Sequence, residues 1–200
     1  MFISDKDRFV FIHIPKTAGS SIHIALKDHY GLVGPDRADP PPEEHHQSYS
    51  FAWQNNPVQD YYSFAFVRNP WDRLTSAYAE FRSASHRMGY PVDPPMSTYS
   101  GFEQFCEEFP ASAWAQDVHY RPQHTFICWK DRVEVDFVGR YENLVADYAA
   151  IGEKLNISLP ILGHHRKTVH PDRNKIYTPR TKNIIGDFFA KDIEIFGYDF

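Results

Sequence analysis

The chain has 200 residues, of which 21 are basic and 26 are acidic, giving a formal net charge of −5. This length suits one domain with a sizeable core, so we expect a single domain over residues 1–200. The acidic balance argues against general binding to nucleic acid or to anionic membranes, and 42% hydrophobic residues exclude disorder over the whole chain.

Membrane insertion and secretion leave no recognisable signal in the sequence. The longest apolar stretch, residues 9–14, is far too short to cross a bilayer. Its one histidine, His13, is expected to be a core residue that supports the loop after the strand. Charged residues at positions 5–8 lie where a signal peptide would have its apolar centre. The two cysteines, Cys106 and Cys128, do not make a disulfide framework. We therefore expect no membrane span and a cytoplasmic location.

Short apolar runs alternate with helical patterns along the chain. The predicted strands cover residues 9–14, 62–67 and 133–138. The predicted helices cover residues 20–29, 70–81, 102–119, 141–155 and 179–196, with Asn69 and Thr178 as N-caps before a proline. The helical stretch 102–119 is expected to be interrupted at Pro110. Segments rich in proline, glycine or basic residues predict loops at 34–42, 86–101 and 164–182.

This alternation predicts an α/β fold: a P-loop-like, three-layer domain with a central, mostly parallel sheet flanked by helices. Ligands of such folds bind at the carboxyl ends of the strands. Two candidate loops follow predicted strands directly, at residues 15–21 and 68–70.

The first loop reads Pro-Lys-Thr-Ala-Gly-Ser-Ser over residues 15–21 and precedes a helix. Small residues let backbone N–H groups approach an anion, the helix start adds the positive end of its dipole, and Lys16 adds a full charge. The loop is not a Walker A motif, because its lysine comes early instead of just before Ser or Thr. An ordinary tight turn with one exposed lysine remains an alternative.

The second loop contains Arg68 at a strand end, and Ser76 follows two turns into the next helix. Arginine is well suited to hold a phosphate through two donors. The alternative is that Arg68 and Arg73 are ion-pair partners of Asp72 or of other carboxylates.

Together, these motifs resemble those of the Golgi-type carbohydrate sulfotransferases and their bacterial relatives, a family that includes heparan sulfate 2-O-sulfotransferase. Residues 11–22 resemble the family's 5′-phosphosulfate loop, and residues 66–78 resemble its 3′-phosphate motif. Residues 138–144, and the ending with Tyr-Thr-Pro at 177–179 and the segment 190–200, resemble two further blocks in the family's order.

The resemblance implies that 3′-phosphoadenosine 5′-phosphosulfate (PAPS) is the sulfuryl donor, with adenosine 3′,5′-bisphosphate (PAP) as product and no metal. A donor with phosphates at both ends of one nucleoside needs two anion sites, and the sequence offers two. Lys16 is expected to stabilise charge on the leaving phosphate. The expected donor-binding residues are Lys16, Thr17, Ala18, Gly19, Ser20, Ser21, Arg68 and Ser76.

The base that activates the acceptor is less well defined by the sequence. In the family it is a His or Glu between the two motifs, and His46 precedes Gln-Ser in a segment that resembles the family's. Histidine also titrates near neutral pH, which suits proton transfer. We therefore choose His46, then His45, then Glu44, with simple solvation of the histidines as the alternative.

A basic stretch at residues 164–182 contains six Lys or Arg residues and one acidic residue. Its residues Arg166, Lys167 and Thr168 resemble a family loop that closes over the donor nucleotide. An ordinary basic surface is the alternative.

Two other functions stay open at this point. One is a P-loop kinase using ATP and magnesium, for which Asp136 is the nearest metal-holding carboxylate; the other is a non-catalytic nucleotide-binding module. The expected acceptor is a carbohydrate or another hydroxyl-bearing molecule.

Overall fold

The computed structural model of the chain describes residues 1–31, 48, 53–54, 58–83, 95–162 and 171–200. Residue contacts divide the chain into two compact units. The first unit combines Met1–Arg68 with Gln123–Arg166, and the second combines Asn69–Pro122 with Lys167–Phe200. The single-domain assignment stays a prediction.

Strands and helices alternate in the described residues much as the sequence predicts. The strands are β1 (Phe2–Ser4), β2 (Phe9–Ile12), β3 (Tyr62–Val67), β4 (Cys128–Trp129), β5 (Arg132–Val133) and β6 (Phe137–Arg140). The α-helices are α1 (Gly19–His29), α2 (Pro70–Arg82), α3 (Phe102–Glu108), α4 (His124–Ile127), α5 (Leu144–Leu155), α6 (Arg173–Ile176), α7 (Pro179–Phe188) and α8 (Ala190–Phe196).

The first unit is built on a sheet of order β1-β2-β3-β6. Strand β1 is antiparallel to β2, whereas β2, β3 and β6 run parallel. The parallel register pairs Ile12 with Ala65 and Val67 with Arg140. The carboxyl ends of β2, β3 and β6 therefore meet at one edge of the sheet. The predicted α/β fold with a mostly parallel sheet flanked by helices is confirmed.

One face of this sheet is lined by phenylalanines at alternate positions of the parallel strands, because side chains two residues apart share a face. These rings pack against apolar side chains of α1 and α5. The cluster comprises Phe2, Phe9, Phe11, Phe64, Phe66, Ile22, Leu26, Tyr148 and Ile151. Each fully buried Phe contributes about 1.5–3 kcal/mol relative to leaving it exposed. The burial of this face holds the carboxyl edge in place.

The second unit has a core dominated by aromatic rings from α2, α3, the turns on either side of α3, and Phe189 directly after α7. Its helix α2 begins where the sequence predicts, because the Asn69 side chain accepts hydrogen bonds from the N–H groups of Trp71 and Asp72. Pro70, at the first helical position, needs no such partner. The rings of the core are Trp71, Tyr78, Phe81, Tyr99, Phe102, Phe105, Phe109, Trp114, Tyr120 and Phe189.

The predicted strand over residues 133–138 is wrong in its extent. Residues Arg132–Val133 pair with Cys128–Trp129 in a hairpin whose turn residues, Lys130 and Asp131, have φ of 47° and 67°. Left-handed residues at both turn positions are the geometry of a two-residue hairpin. The strand that joins the sheet is β6, which begins only at Phe137.

Two helix predictions and one loop prediction also change in detail. The stretch predicted as helical over 102–119, with an interruption at Pro110, is an α-helix only to Glu108 and continues as 3₁₀ turns. The final helix starts at Pro179 with its predicted Thr178 cap, but it breaks at Phe189 into α7 and α8. The predicted loop over 164–182 contains the short helix α6.

Candidate active site

The loop between β2 and α1 has an unusual backbone. Lys16 and Ala18 both have φ of 69°, in the left-handed region that non-glycine residues rarely adopt. Each such residue costs of order 1 kcal/mol or more, so surrounding contacts must hold it. Left-handed residues in a tight loop are typical of backbone concavities that bind anions through N–H groups. Strain of this kind at a strand end is therefore consistent with the predicted phosphate loop.

Thr17 holds this loop from inside. Its side chain is fully buried, and its hydroxyl donates to the backbone oxygen of Ile14 at 2.9 Å. This bond closes the turn that presents Lys16, whose side chain is partly exposed. Because the Thr17 hydroxyl already donates to Ile14, we expect Thr17 to contact a phosphate through its backbone N–H. This contact stays a prediction.

Gly19 is required by a contact that the sequence does not reveal. A Cβ added at this position would lie 1.8 Å from Cδ2 of the His13 ring. His13 is buried just past the end of β2, and its ring stacks on Phe11 with centroids 5.9 Å apart. His13 is therefore a core histidine that supports the loop, as predicted. The absence of a side chain at Gly19 makes room for this ring, in addition to the close approach of an anion that the sequence predicts.

The start of α1 has a polarity that suits an anion. Its N-cap is Ala18, which makes no side-chain cap, and the first turn contains no acidic residue. The positive end of the helix dipole therefore meets no carboxylate of this turn, which is compatible with the predicted phosphate site. The hydroxyl-bearing residues of this turn are Ser20, which is partly exposed, and Ser21, which is buried.

Arg68 follows the last residue of β3 and connects the three strand ends of this edge. Its Nη1 donates to the backbone oxygen of Lys16 at 3.3 Å, which ties it to the first loop. Its guanidinium carbon lies 4.0 Å from the centre of the Tyr141 ring, and Tyr141 directly follows β6. This cation–π contact fixes the plane of the guanidinium. The Lys16 loop and Arg68, the two predicted anion-binding groups of the first unit, are thus adjacent.

The backbone of Arg68 is held by a buried glutamine. Gln123 accepts a hydrogen bond from the Arg68 N–H and donates one to the Arg68 carbonyl, both at 2.8 Å. The sequence predicted no contact between Gln123 and Arg68, and it placed Tyr141 only within a family block. The signal that points to Tyr141 is its position after a parallel strand. Gln123 has no such signal.

Ser76 lies in the second unit, on α2, where its side chain is buried. The ion pairs considered for this helix differ from expectation. Asp72 pairs with Arg173 at 2.9 Å, and the buried Arg73 donates to the backbone oxygen of His119 at 3.1 Å. Arg73 is therefore a structural residue of the second unit.

Asp136, the magnesium-holding candidate of the kinase alternative, lies at the wrong end of the sheet. Its carboxylate accepts hydrogen bonds from the N–H and the hydroxyl of Ser63, at 2.8 and 2.7 Å. Ser63 is the second residue of β3, and Arg68 follows it by five residues. Five strand residues span about 16 Å, so the residue that Asp136 contacts is about that far along the strand from Arg68. Among the described residues, no three His, Cys, Asp or Glu side chains gather closely enough to hold a metal ion.

Several predicted site residues lie outside the described residues. They are the base candidates Glu44, His45 and His46, and the predicted nucleotide-closing residues Arg166, Lys167 and Thr168. Their roles stay predictions. In the described part of the chain, no helix has the length and apolar character needed to cross a membrane.

The fold and this edge define an α/β protein whose basic groups gather at the carboxyl ends of parallel strands. A family profile described as "Sulfotransferase family" matches residues 1–199. The chain belongs to the sulfotransferase family.

Curated relatives agree with this family at low identity. Carbohydrate sulfotransferase 14 of Danio rerio is 26% identical over 219 residues, covering 92% of this chain and 54% of the relative. Carbohydrate sulfotransferase 14 of Homo sapiens is 29% identical over 171 residues, covering 74% of this chain and 44% of the relative. The chain thus spans about half the length of these relatives. No solved structure gives a significant match.

Proposed function

We propose that the protein transfers a sulfuryl group from PAPS to a hydroxyl of a carbohydrate. Membership of the sulfotransferase family and the names of the curated relatives support this reaction and acceptor class. The observation that carries the proposal most is the contact between Arg68 and the backbone of Lys16 at one edge of a parallel sheet. A donor with two phosphates on one nucleoside needs cationic groups held close together in this way.

Different residues of the first unit are proposed to bind the two phosphates of the donor. The N–H groups at the start of α1 and the Lys16 loop bind the 5′-phosphate, and Arg68 binds the 3′-phosphate. Ser76 is proposed as a further 3′-phosphate contact on the strength of the family motif. Arg166, Lys167 and Thr168 are proposed as further contacts to the donor nucleotide, on the strength of their resemblance to a family loop.

In the proposed reaction, the acceptor oxygen forms a bond to sulfur while the bond between sulfur and the 5′-phosphate oxygen breaks. Lys16 stabilises the charge that grows on that oxygen, and PAP leaves. A base takes the acceptor proton; His46 is proposed for this role, followed by His45 and Glu44. The proposed reaction uses no metal. We also propose the cytoplasmic location that the sequence predicts.

The test is a turnover assay that detects PAP release from PAPS over a panel of glycan acceptors, with sulfated product identified by mass. We expect Lys16→Met to lower turnover about 100-fold or more, because it removes the charge at the leaving oxygen. The matched control is Lys27→Met, which removes a lysine from the last turn of α1. Turnover in Lys16→Met equal to that of the control would refute the role of Lys16.

A further inference from the structure

Arg68 lies just beyond the hydrogen-bond ladders of β3. The pairing of β3 with β2 ends at Ala65, and its pairing with β6 ends at Val67. Arg68 is itself buried, with 6% of its surface exposed. A buried peptide group past the end of a ladder needs partners from elsewhere in the chain.

Gln123 supplies both of these partners. Its Oε1 accepts from the Arg68 N–H, and its Nε2 donates to the Arg68 carbonyl oxygen, each at 2.8 Å. The carboxamide thus pairs with one residue as a neighbouring strand would. Gln123 is fully buried at the N-cap of α4, and its own backbone oxygen accepts from the N–H of Phe126. The backbone of Gln123 is therefore fixed as well.

We infer that Gln123 is a positioning residue that fixes Arg68 for the 3′-phosphate of the donor. The inference rests on the proposed function, since it assigns to Gln123 a part of the same donor site. The physical reason is preorganisation: a guanidinium whose backbone is already fixed loses less freedom when it binds a phosphate. Gln123 touches no part of the donor in this account and acts through Arg68 alone.

The other end of β3 offers a matched control. There the Asp136 carboxylate accepts from the N–H and the hydroxyl of Ser63, so it too holds a strand residue by two hydrogen bonds. The change Asp136→Ala removes this pair of bonds from β3 but leaves Arg68 and its partners in place. A purely structural role of Gln123 predicts that variants at the two ends behave alike towards ligands.

The experiment measures the affinity of the whole chain for PAP and for adenosine 5′-monophosphate, which lacks the 3′-phosphate. We expect Gln123→Met to weaken PAP binding about tenfold and to change monophosphate binding less than about threefold. Asp136→Ala is expected to leave both affinities within about threefold of the wild type. Thermal unfolding of each variant reports its stability alongside.

A second variant covers the case in which Gln123→Met does not fold. Gln123→Glu has the same size and still accepts from the Arg68 N–H, but it cannot donate to the Arg68 carbonyl when ionised. It is expected to show the same selective loss of PAP affinity.

The outcomes separate the two claims. If the Gln123 variants weaken both ligands equally, or leave PAP affinity unchanged, the inference is overturned and the donor site stands. If the wild-type chain itself shows no preference for PAP over the monophosphate, the proposed 3′-phosphate site fails, and the inference falls with it.

Discussion

Replacing Gly19 with alanine tests the packing that supports the candidate loop. The new Cβ would lie 1.8 Å from Cδ2 and 2.1 Å from Nε2 of the His13 ring, far inside any real contact. His13 is buried and stacked on Phe11, so its ring cannot swing aside without disturbing the core.

The expected magnitude follows from two opposed effects. A Gly→Ala change at a helical position without a clash would stabilise the chain by about 0.4–1 kcal/mol. Overpacking of a close-packed site costs about 1–3 kcal/mol, and occasionally more. The clash here is severe, so we expect Gly19→Ala to lower the free energy of unfolding by about 1–3 kcal/mol.

Urea unfolding followed by circular dichroism measures this loss, with Gly101→Ala as the control. A Cβ at Gly101 meets nothing within 4 Å, so this variant should stay within about 1 kcal/mol of the wild type. The sharper test combines Gly19→Ala with His13→Ala. His13→Ala alone leaves a cavity and destabilises the fold, but it also makes room for the new methyl group.

The double variant should therefore be more stable than the two single effects predict, by about 1 kcal/mol or more. Additivity within about 0.5 kcal/mol would show that Gly19 and His13 do not share the space as described. A Gly19→Ala variant as stable as the wild type would refute the packing argument outright.

Two further predictions concern Arg68 and the pH dependence of stability. Tyr141→Ala removes the cation–π contact with Arg68 and should weaken PAP binding about 2- to 20-fold, as measured by calorimetric titration. Tyr141→Phe keeps the ring face and should retain the affinity for PAP. Equal effects of the two changes would show that the ring does not support Arg68. Burial, and then the hydrogen bond from its hydroxyl to Asp7, raises the pKa of Tyr30 to about 12 from 10.0. Its stabilising contribution should be complete below pH 10 and be lost as the pH rises through about 12. Tyr30→Phe should flatten that part of the stability profile in urea unfolding, and an unchanged slope would argue against it.

The sequence predicted those elements whose signals are local. Strand β3 has its predicted bounds, and α2 begins after Asn69 and Pro70 as expected, because the cap and the proline act on neighbouring residues. Strand β6 was misplaced, since the Lys130–Asp131 turn draws residues 132–133 into a separate hairpin. The break at Phe189 was missed as well: Phe188 and Phe189 both contact Phe109, and such tertiary packing leaves no local pattern.

The residues of the candidate site were likewise predicted only in part. The Lys16 loop and Arg68 were predicted because parallel strands bring their carboxyl ends to one edge. The individual contacts that hold them were not predicted. His13 fills the space beside Gly19, and Gln123 reaches Arg68 from 55 residues away. Such contacts depend on the folded chain, and no spacing rule in the sequence encodes them.

The proposed function requires that the edge formed by the Lys16 loop and Arg68 bind a nucleoside with phosphates at both ends. Calorimetric titration of the whole chain with PAP, compared with ATP and magnesium, tests this requirement. We expect tight, metal-independent binding of PAP that is lost in Arg68→Ala. Binding of ATP with magnesium in the absence of any PAP binding would refute the proposed donor site and favour the kinase alternative.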